Sequence, residues 1–435
     1  MKIVFALWLL ACAALSAQQV PGATQLPDHP FSIKKTWIIG GGTNWDYLAV
    51  DPAARRLFIA HGPVVQVVDL DTGTVAGQVT GLRGAHAIAL DDTGEFGYIS
   101  DGPAAEVKVF DRRSFKVVAA IPTGPSPRAL VFEPQSRLLF AICTNPIAET
   151  SNPQPASNQA ARPSSATPRS PSQNRNAQPV RDSEVKTSIT VIDVQTREPL
   201  AQILMPGRLG FAQADSNGQL YINIVNRNQI ARIDAQAVAG LLRNHPAPAA
   251  ATPAAASPSP AGAARQPAPA HILDWSRESR QPDSAQSMSI FSLGADCTEP
   301  SGLATDSSHL RLFAACNNMK MVVLNAATGE QLASLNTGPG TDAVAYDADR
   351  GLIYTANGGA NGSITIVRQD VTDTYAVVQV LPTRQRARTL AVNAATGEVY
   401  LVTDLLGVNL AQMGTVGTLQ TAPVNGSFQV LVIGN

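Results

Sequence analysis

An apolar triplet closed by an acidic or amide residue recurs along this chain. A polar turn follows each copy, and then a second apolar burst that stops at His, Asp or Asn. The triplets begin at Leu48, Ile88, Leu130, Phe211, Leu303, Val344 and Leu390. The answering bursts run from Leu57 to His61, Tyr98 to Asp101, Leu139 to Asn145, Leu220 to Asn226, Leu312 to Asn317, Ile353 to Asn357 and Val399 to Asp404. In uninterrupted stretches the copies start roughly 40 residues apart, the length of a four-stranded propeller blade. Alternation and β-branched enrichment make the strands of the second copy legible as Ala87 to Leu90, Phe96 to Ser100, Val107 to Asp111 and Val117 to Ile121. Turns such as Asp71-Thr72-Gly73 and Ala326-Ala327-Thr328-Gly329 separate third strands from fourth. Helical signal is confined to Ala235 to Arg243.

The pattern predicts an all-β, seven-bladed β-propeller occupying 31–435 as a single domain. The seventh copy lacks a fourth strand, and Ile33 to Ile39 stands before the first inner strand, where an outer strand belongs. That segment is expected to pair with Phe428 to Ile433 and close the ring, which removes the exposed edge of an open sheet. Two intervals are longer than the rest. Residues 146–186 are rich in Pro, Ser, Asn, Gln and Ala, and 244–286 have an Ala-Pro core. Neither carries the apolar periodicity needed to bury itself, so both read as disordered insertions into blades rather than linkers. The first follows a second strand, so it hangs over the face bearing the predicted site, as does the long Leu405 to Gly426 loop. The second should emerge on the opposite face.

The first residues read as a targeting segment. Lys2 is followed by the apolar run Ile3 to Ala11 and the small residues Ala14-Leu15-Ser16-Ala17. Residues 1–19 are taken as a signal peptide, which makes the chain secreted or periplasmic. The run is short for a bilayer span. Leu9-Leu10-Ala11-Cys12 also has the form of a lipobox, so an outer-membrane lipoprotein anchored at Cys12 stays open. Export permits disulfides. Cys297 precedes the inner strand of the fifth copy and Cys316 ends its second strand. A bridge between them and a pair of buried thiols are both compatible with that placement.

Charged residues make up 15% of the chain and the formal net charge is -1. That balance disfavours nucleic-acid binding, which needs an excess of cationic charge. No GxSxG elbow, Walker loop, dinucleotide fingerprint or HExxH pair is present.

The copies resemble the YVTN-type (YncE-like) β-propeller repeat family. The resemblance rests on Ile121-Pro122-Thr123-Gly124-Pro125-Ser126-Pro127 followed by Arg128-Ala129-Leu130-Val131-Phe132, on Ile353-Tyr354-Thr355-Ala356-Asn357, and on Val67-Val68-Asp69-Leu70-Asp71-Thr72-Gly73. It covers nearly the whole mature chain except the insertions. It implies a binding scaffold of the cell envelope, with one branch that binds DNA and relatives that are lactonases or lyases. The fourth copy departs from the motif at Gln213 and Ala214, which puts any contact from that blade in doubt.

Loops before the inner strands and after the second strands converge on one face of a propeller, around the channel. Candidate ligand-binding residues there are Asp46, His61, His86, Asp101, Arg128, Asn317, Asp342, Asn357, Arg388 and Asp404. Aligned with them just before inner strands are Leu209 and Ser301. The mixture of charges and amides suits a polar or anionic small molecule, or a peptide. Arg128 and Arg388 have the chemistry to hold a carboxylate or phosphate, and Trp45 and Tyr47 flank Asp46 as a stacking surface. Against this stands the ordinary role of Asp and Asn at strand ends, where they bond to turn backbone. The chain is therefore read as an exported scaffold that binds an unknown small molecule or envelope protein at the channel mouth, as a monomer and without a cofactor. The alternative is a lactonase- or lyase-type propeller enzyme using His61, His86 and neighbouring acids, with a metal as one option.

Overall fold

The computed structural model describes residues 29–146, 185–244, 271–276, 287–370, 373–408 and 421–435. The leader with Cys12 lies outside them, as do most of both low-complexity segments. Seven sheets, antiparallel apart from one added edge strand in blade three, surround an axis, and each contributes its first strand to the channel wall. The inner strands are Leu48–Asp51, Ala85–Leu90, Pro127–Glu133, Leu209–Ala214, Pro300–Asp306, Thr341–Asp347 and Thr389–Asn393. The last sheet is completed by Ser32–Ile38, which pairs antiparallel with Gln429–Gly434 in a register that sets Ile33 against Ile433 and Trp37 against Val430. The ring therefore closes as the repeat predicts, and Trp37 stacks on Tyr400 at 5.9 Å between ring centroids.

Each second strand carries an aromatic residue at its third position: Phe58, Tyr98, Phe140, Tyr221, Phe313, Tyr354 and Tyr400. All seven are essentially inaccessible to solvent. Both faces of a blade pack on neighbouring blades, so the second strand is apolar almost throughout rather than alternating. Leu138–Cys143, for example, is buried at every position.

In five of the seven copies the acid or amide that ends the triplet is a turn cap, while Asp91 of the second accepts from the Thr93 hydroxyl. Asp51 accepts from the Ala54 amide, Glu133 from Gln135 and Ser136, Asp306 from Ser308 and His309, Asp347 from Arg350, and Asn393 from Ala395. In blade four the cap is displaced by one residue. Asp215, not Ala214, accepts from the Asn217 and Gln219 amides. The departure at Gln213 and Ala214 is thus a shift in register that conserves the bond. Turns between third and fourth strands repeat the device: Asp69, Asp111, Asp193 and Asn325 each accept from two amides of the turn that follows. An acid in this position satisfies turn donors that have no ladder partner.

The second low-complexity segment requires a correction. Residues 271–276 fall within its expected bounds, yet His271–Asp274 adds a fifth strand, parallel, to the outer edge of blade three. Trp275 is buried in the same core cluster as Val238 and Ala239 of the helix Ala235–Asn244. A single Trp side chain buries enough apolar area to order a short segment that has no periodicity of its own.

Candidate functional site

Tyr47 ends the loop into blade one and Phe211 lies in the inner strand of blade four. Their rings meet at 5.1 Å across the axis and bar the channel. Below this bridge lies a cavity of about 460 Å³, walled by inner strands. Above it, on the side of blades four to seven, lies an open cleft of about 470 Å³. Tyr47, Phe211 and Asp342 line both. Burial pushes the Tyr47 phenol far above its ordinary range, and the Asp46 and Asp342 carboxylates push it further, against Arg128 and Arg388.

The mouth has two unlike halves. On blades one to three, His86 Nδ1 lies 2.7 Å from Asp46 Oδ2. Arg128 sits 3.4 Å from the same imidazole nitrogen and 3.7 Å from the same carboxylate oxygen. These three predicted residues form one closed cluster. On the other half the cleft holds Glu299, Ser301, Asn317, Asp342 and Arg388. Asn317 donates to Glu299 at 2.9 Å. Arg388 Nε stands 3.7 Å from Asp342 Oδ2, with both side chains substantially exposed. Although its side chain stays partly exposed, desolvation by the surrounding cleft raises the Asp342 carboxyl above its ordinary value; Arg388 opposes that rise and Asp46 adds to it. The cleft wall is backbone where Gly340 meets Gly359. A Cβ on Gly340 would come within 2.7 Å of the Gly359 nitrogen, and Gly340 has φ +68. Only glycine lets the two loops approach this closely.

Four candidate residues lie inside the wall instead of on the mouth. His61 is buried against Phe428, with Nδ1 at 2.6 Å from Gln66 Oε1 and Nε2 at 2.8 Å from Gly42 O. Asp101 accepts from the Arg83 and Gly84 amides of the incoming loop, both at 2.9 Å. Asn357 is enclosed by Thr341, Thr355, Ser363 and Thr365. Asp404 pairs with Arg386 at 3.2 Å, and Arg386 lies over the Trp45 ring at 4.7 Å. Burial raises the Asp404 carboxyl, and Arg386 opposes it. The reason is common to all four: a second strand ends inside the ring, so its last side chain reaches the incoming loop before it reaches solvent. Trp45 follows them inward, buried on Phe428 at 5.1 Å.

His61 and His86 are consequently not partners. Among the described residues no group of three His, Cys, Asp or Glu is placed to hold a metal ion. Cys297 and Cys316 are joined by a disulfide with a Cα–Cα distance of 5.2 Å. It ties the loop that carries Glu299 to the end of the second strand. Cys143 remains a free, buried thiol, pushed up to about 11 by burial.

Sequence reasoning missed Phe211 and Glu299. With blade four shifted by one residue, Ala212 takes the place of Leu48 and Phe211 that of Tyr47, which the triplet pattern alone hides. Glu299 precedes the inner strand by one residue and resembles any loop acid until the fold brings it beside Asn317.

No family model matches the chain, and no curated protein matches it. In fold it is similar to several solved propellers. The structure of U3-55K superposes with a TM-score of 0.58 at 8% identity, covering 91% of this chain and 97% of that one. The WD40 repeats of RRP9 give 0.57 at 9% identity, over 94% and 99%. A chain of the mitotic checkpoint complex gives 0.57 at 12% identity, over 92% and 95%. Identities this low speak for the fold alone. The protein is a seven-bladed β-propeller, similar in fold to the WD40 repeats of RRP9.

Proposed function

We propose that this propeller is an exported binding scaffold of the YVTN type that takes a small polar ligand at the channel mouth. One observation carries the reading. The Tyr47–Phe211 bridge turns an open channel into a floored cleft of ligand size, and the groups around it are charged and polar. Concave sites with a few convergent polar groups on a rigid scaffold are the usual form of a small-molecule site. Export is supported by the leader-like first residues and by the Cys297–Cys316 bridge, since disulfides persist in oxidising compartments. The test is a thermal-shift screen of polar small molecules against the whole chain, repeated on an Arg128→Ala, Arg388→Ala variant. The reading expects at least one compound that raises Tm in the parent and not in the variant. Compounds that stabilise both equally would place binding elsewhere and overturn it.

A second reading has its own support. His86 held by Asp46 at 2.7 Å is the arrangement of a general base oriented by a carboxylate. In that reading the propeller is a hydrolytic or lyase enzyme, and Asp46→Asn would abolish turnover of a lactone panel while leaving the fold intact.

A further inference from the structure

We infer that the cleft between blades four and seven recognises a zwitterion, a free α-amino acid or a ligand with a charged amine and a carboxylate on neighbouring atoms. This rests on the reading of the mouth as a small-ligand site and names the ligand class.

The cleft presents both signs of charge within a few ångströms. Arg388 and Asp342 face each other at 3.7 Å, beyond hydrogen-bond length, and both are half exposed. An exposed pair at this separation contributes little to the fold, so little is lost when it is separated. An α-amino acid has the complementary pattern. Its ammonium can take the Asp342 carboxylate, and its carboxylate can take the planar fork of Arg388. The exchange trades one weak ion pair for two charge-assisted ones and leaves the site's net charge unchanged.

Three other features favour the zwitterion over a simple anion or cation. Glu299 supplies a second carboxylate, and Asn317 already donates to it, so an ammonium meets an acidic side of the cleft. A bare anion must face both Glu299 and Asp342 with Arg388 as its only cationic counterpart in the cleft lining. A bare cation leaves Arg388 beside it. Finally, the rings of Tyr47 and Phe211 form the floor, where an apolar side chain packs and an ammonium gains a cation–π contact. The asymmetry of the mouth agrees. Across the bridge Asp46 is already engaged by His86 and Arg128, so the loosely held charges are on this side.

The test uses isothermal titration of the whole chain with the twenty free amino acids. For the tightest binder it adds the N-acetyl derivative, the C-terminal amide and the derivative blocked at both ends. The expected result is that blocking either end weakens binding at least tenfold. Asp342→Asn should erase the preference for a free amine, and Arg388→Gln the preference for a free carboxylate. The blocked ligands test the unaltered protein, so the outcome stands even if a variant folds poorly. Failure of all twenty to bind overturns the zwitterion assignment, as does binding indifferent to the blocking groups. If a neutral polyol or a phosphate compound from the thermal-shift screen binds instead, with loss in Arg128→Ala, Arg388→Ala, the mouth remains a ligand site and only the ligand class falls.

Discussion

The two ends of this propeller use the same chemical group in opposite ways. At the end away from the mouth, Asp69, Asp111 and Asp306 are held below their ordinary range. Asp69 is lowered chiefly by the Thr72 amide, and Asp111 by the Ser114 hydroxyl and amide. Asp306 is lowered despite burial, by bonds from His309 and Gln369. At the mouth the shift reverses. Desolvation raises Asp342 in the cleft and Asp404 just inside the wall, against the pull of Arg388 and Arg386. The cause is the supply of donors. A tight turn points two or three amides at an acid that precedes it, whereas Asp342 and Asp404 face chiefly the ends of long arginine side chains. The first end holds the blades, and the second leaves the Arg388–Asp342 pair half exposed. Asp101 marks the boundary, since it sits on the mouth side yet caps two loop amides.

That contrast is open to three measurements. Glu133 accepts from two turn amides and is fully buried. Glu133→Ala should cost about 2 kcal/mol, read from the urea midpoint at constant m. A cost near zero would mean that the repeated acids are not what secures the turns.

Next in size is a difference of sign with pH. The Asp342 carboxyl titrates higher folded than unfolded, so the folded chain binds that proton more tightly. Its contribution is greatest in acid and declines as pH rises past the ordinary value of 3.8. Asp111 titrates lower folded, so its contribution is present above 3.8 and is lost as pH falls below it. Stability measured from pH 3 to pH 7 should therefore show Asp342→Asn gaining on the parent as pH rises, and Asp111→Asn losing ground. Parallel curves for the two variants would erase the distinction between the ends.

The smallest expected effect is that of Arg128→Ala. Its side chain is about half exposed and its ion pair with Asp46 spans 3.7 Å, so stability should move by less than about 0.5 kcal/mol. A loss as large as that of Glu133→Ala would make the His86–Asp46–Arg128 cluster a structural clamp.

The blade count was legible because its periodicity repeats in every copy, the closing strand because the last copy lacks one, and the helix because its apolar spacing is local. The site was legible only in part. Asp46, His86 and Arg128 stand at the same point of successive repeats, and the fold brings them into contact. His61, Asp101, Asn357 and Asp404 also stand at repeated points, but whether a strand's last side chain turns to solvent or to the incoming loop depends on the tilt of the blade. Residues 271–276 illustrate the same gap, because their order comes from Trp275 finding a core built by other segments.

The chain by itself determined that seven similar sheets would form and close upon one another, because alternation, turn caps and the aromatic of each second strand are short-range signals that every copy repeats. Tertiary structure alone decided that Tyr47 would touch Phe211 across the axis and that Glu299, Asp342 and Arg388 would share a cleft. Those residues are distant in sequence and belong to different blades. Their meeting depends on the radius and stagger of the whole ring, which no single repeat encodes.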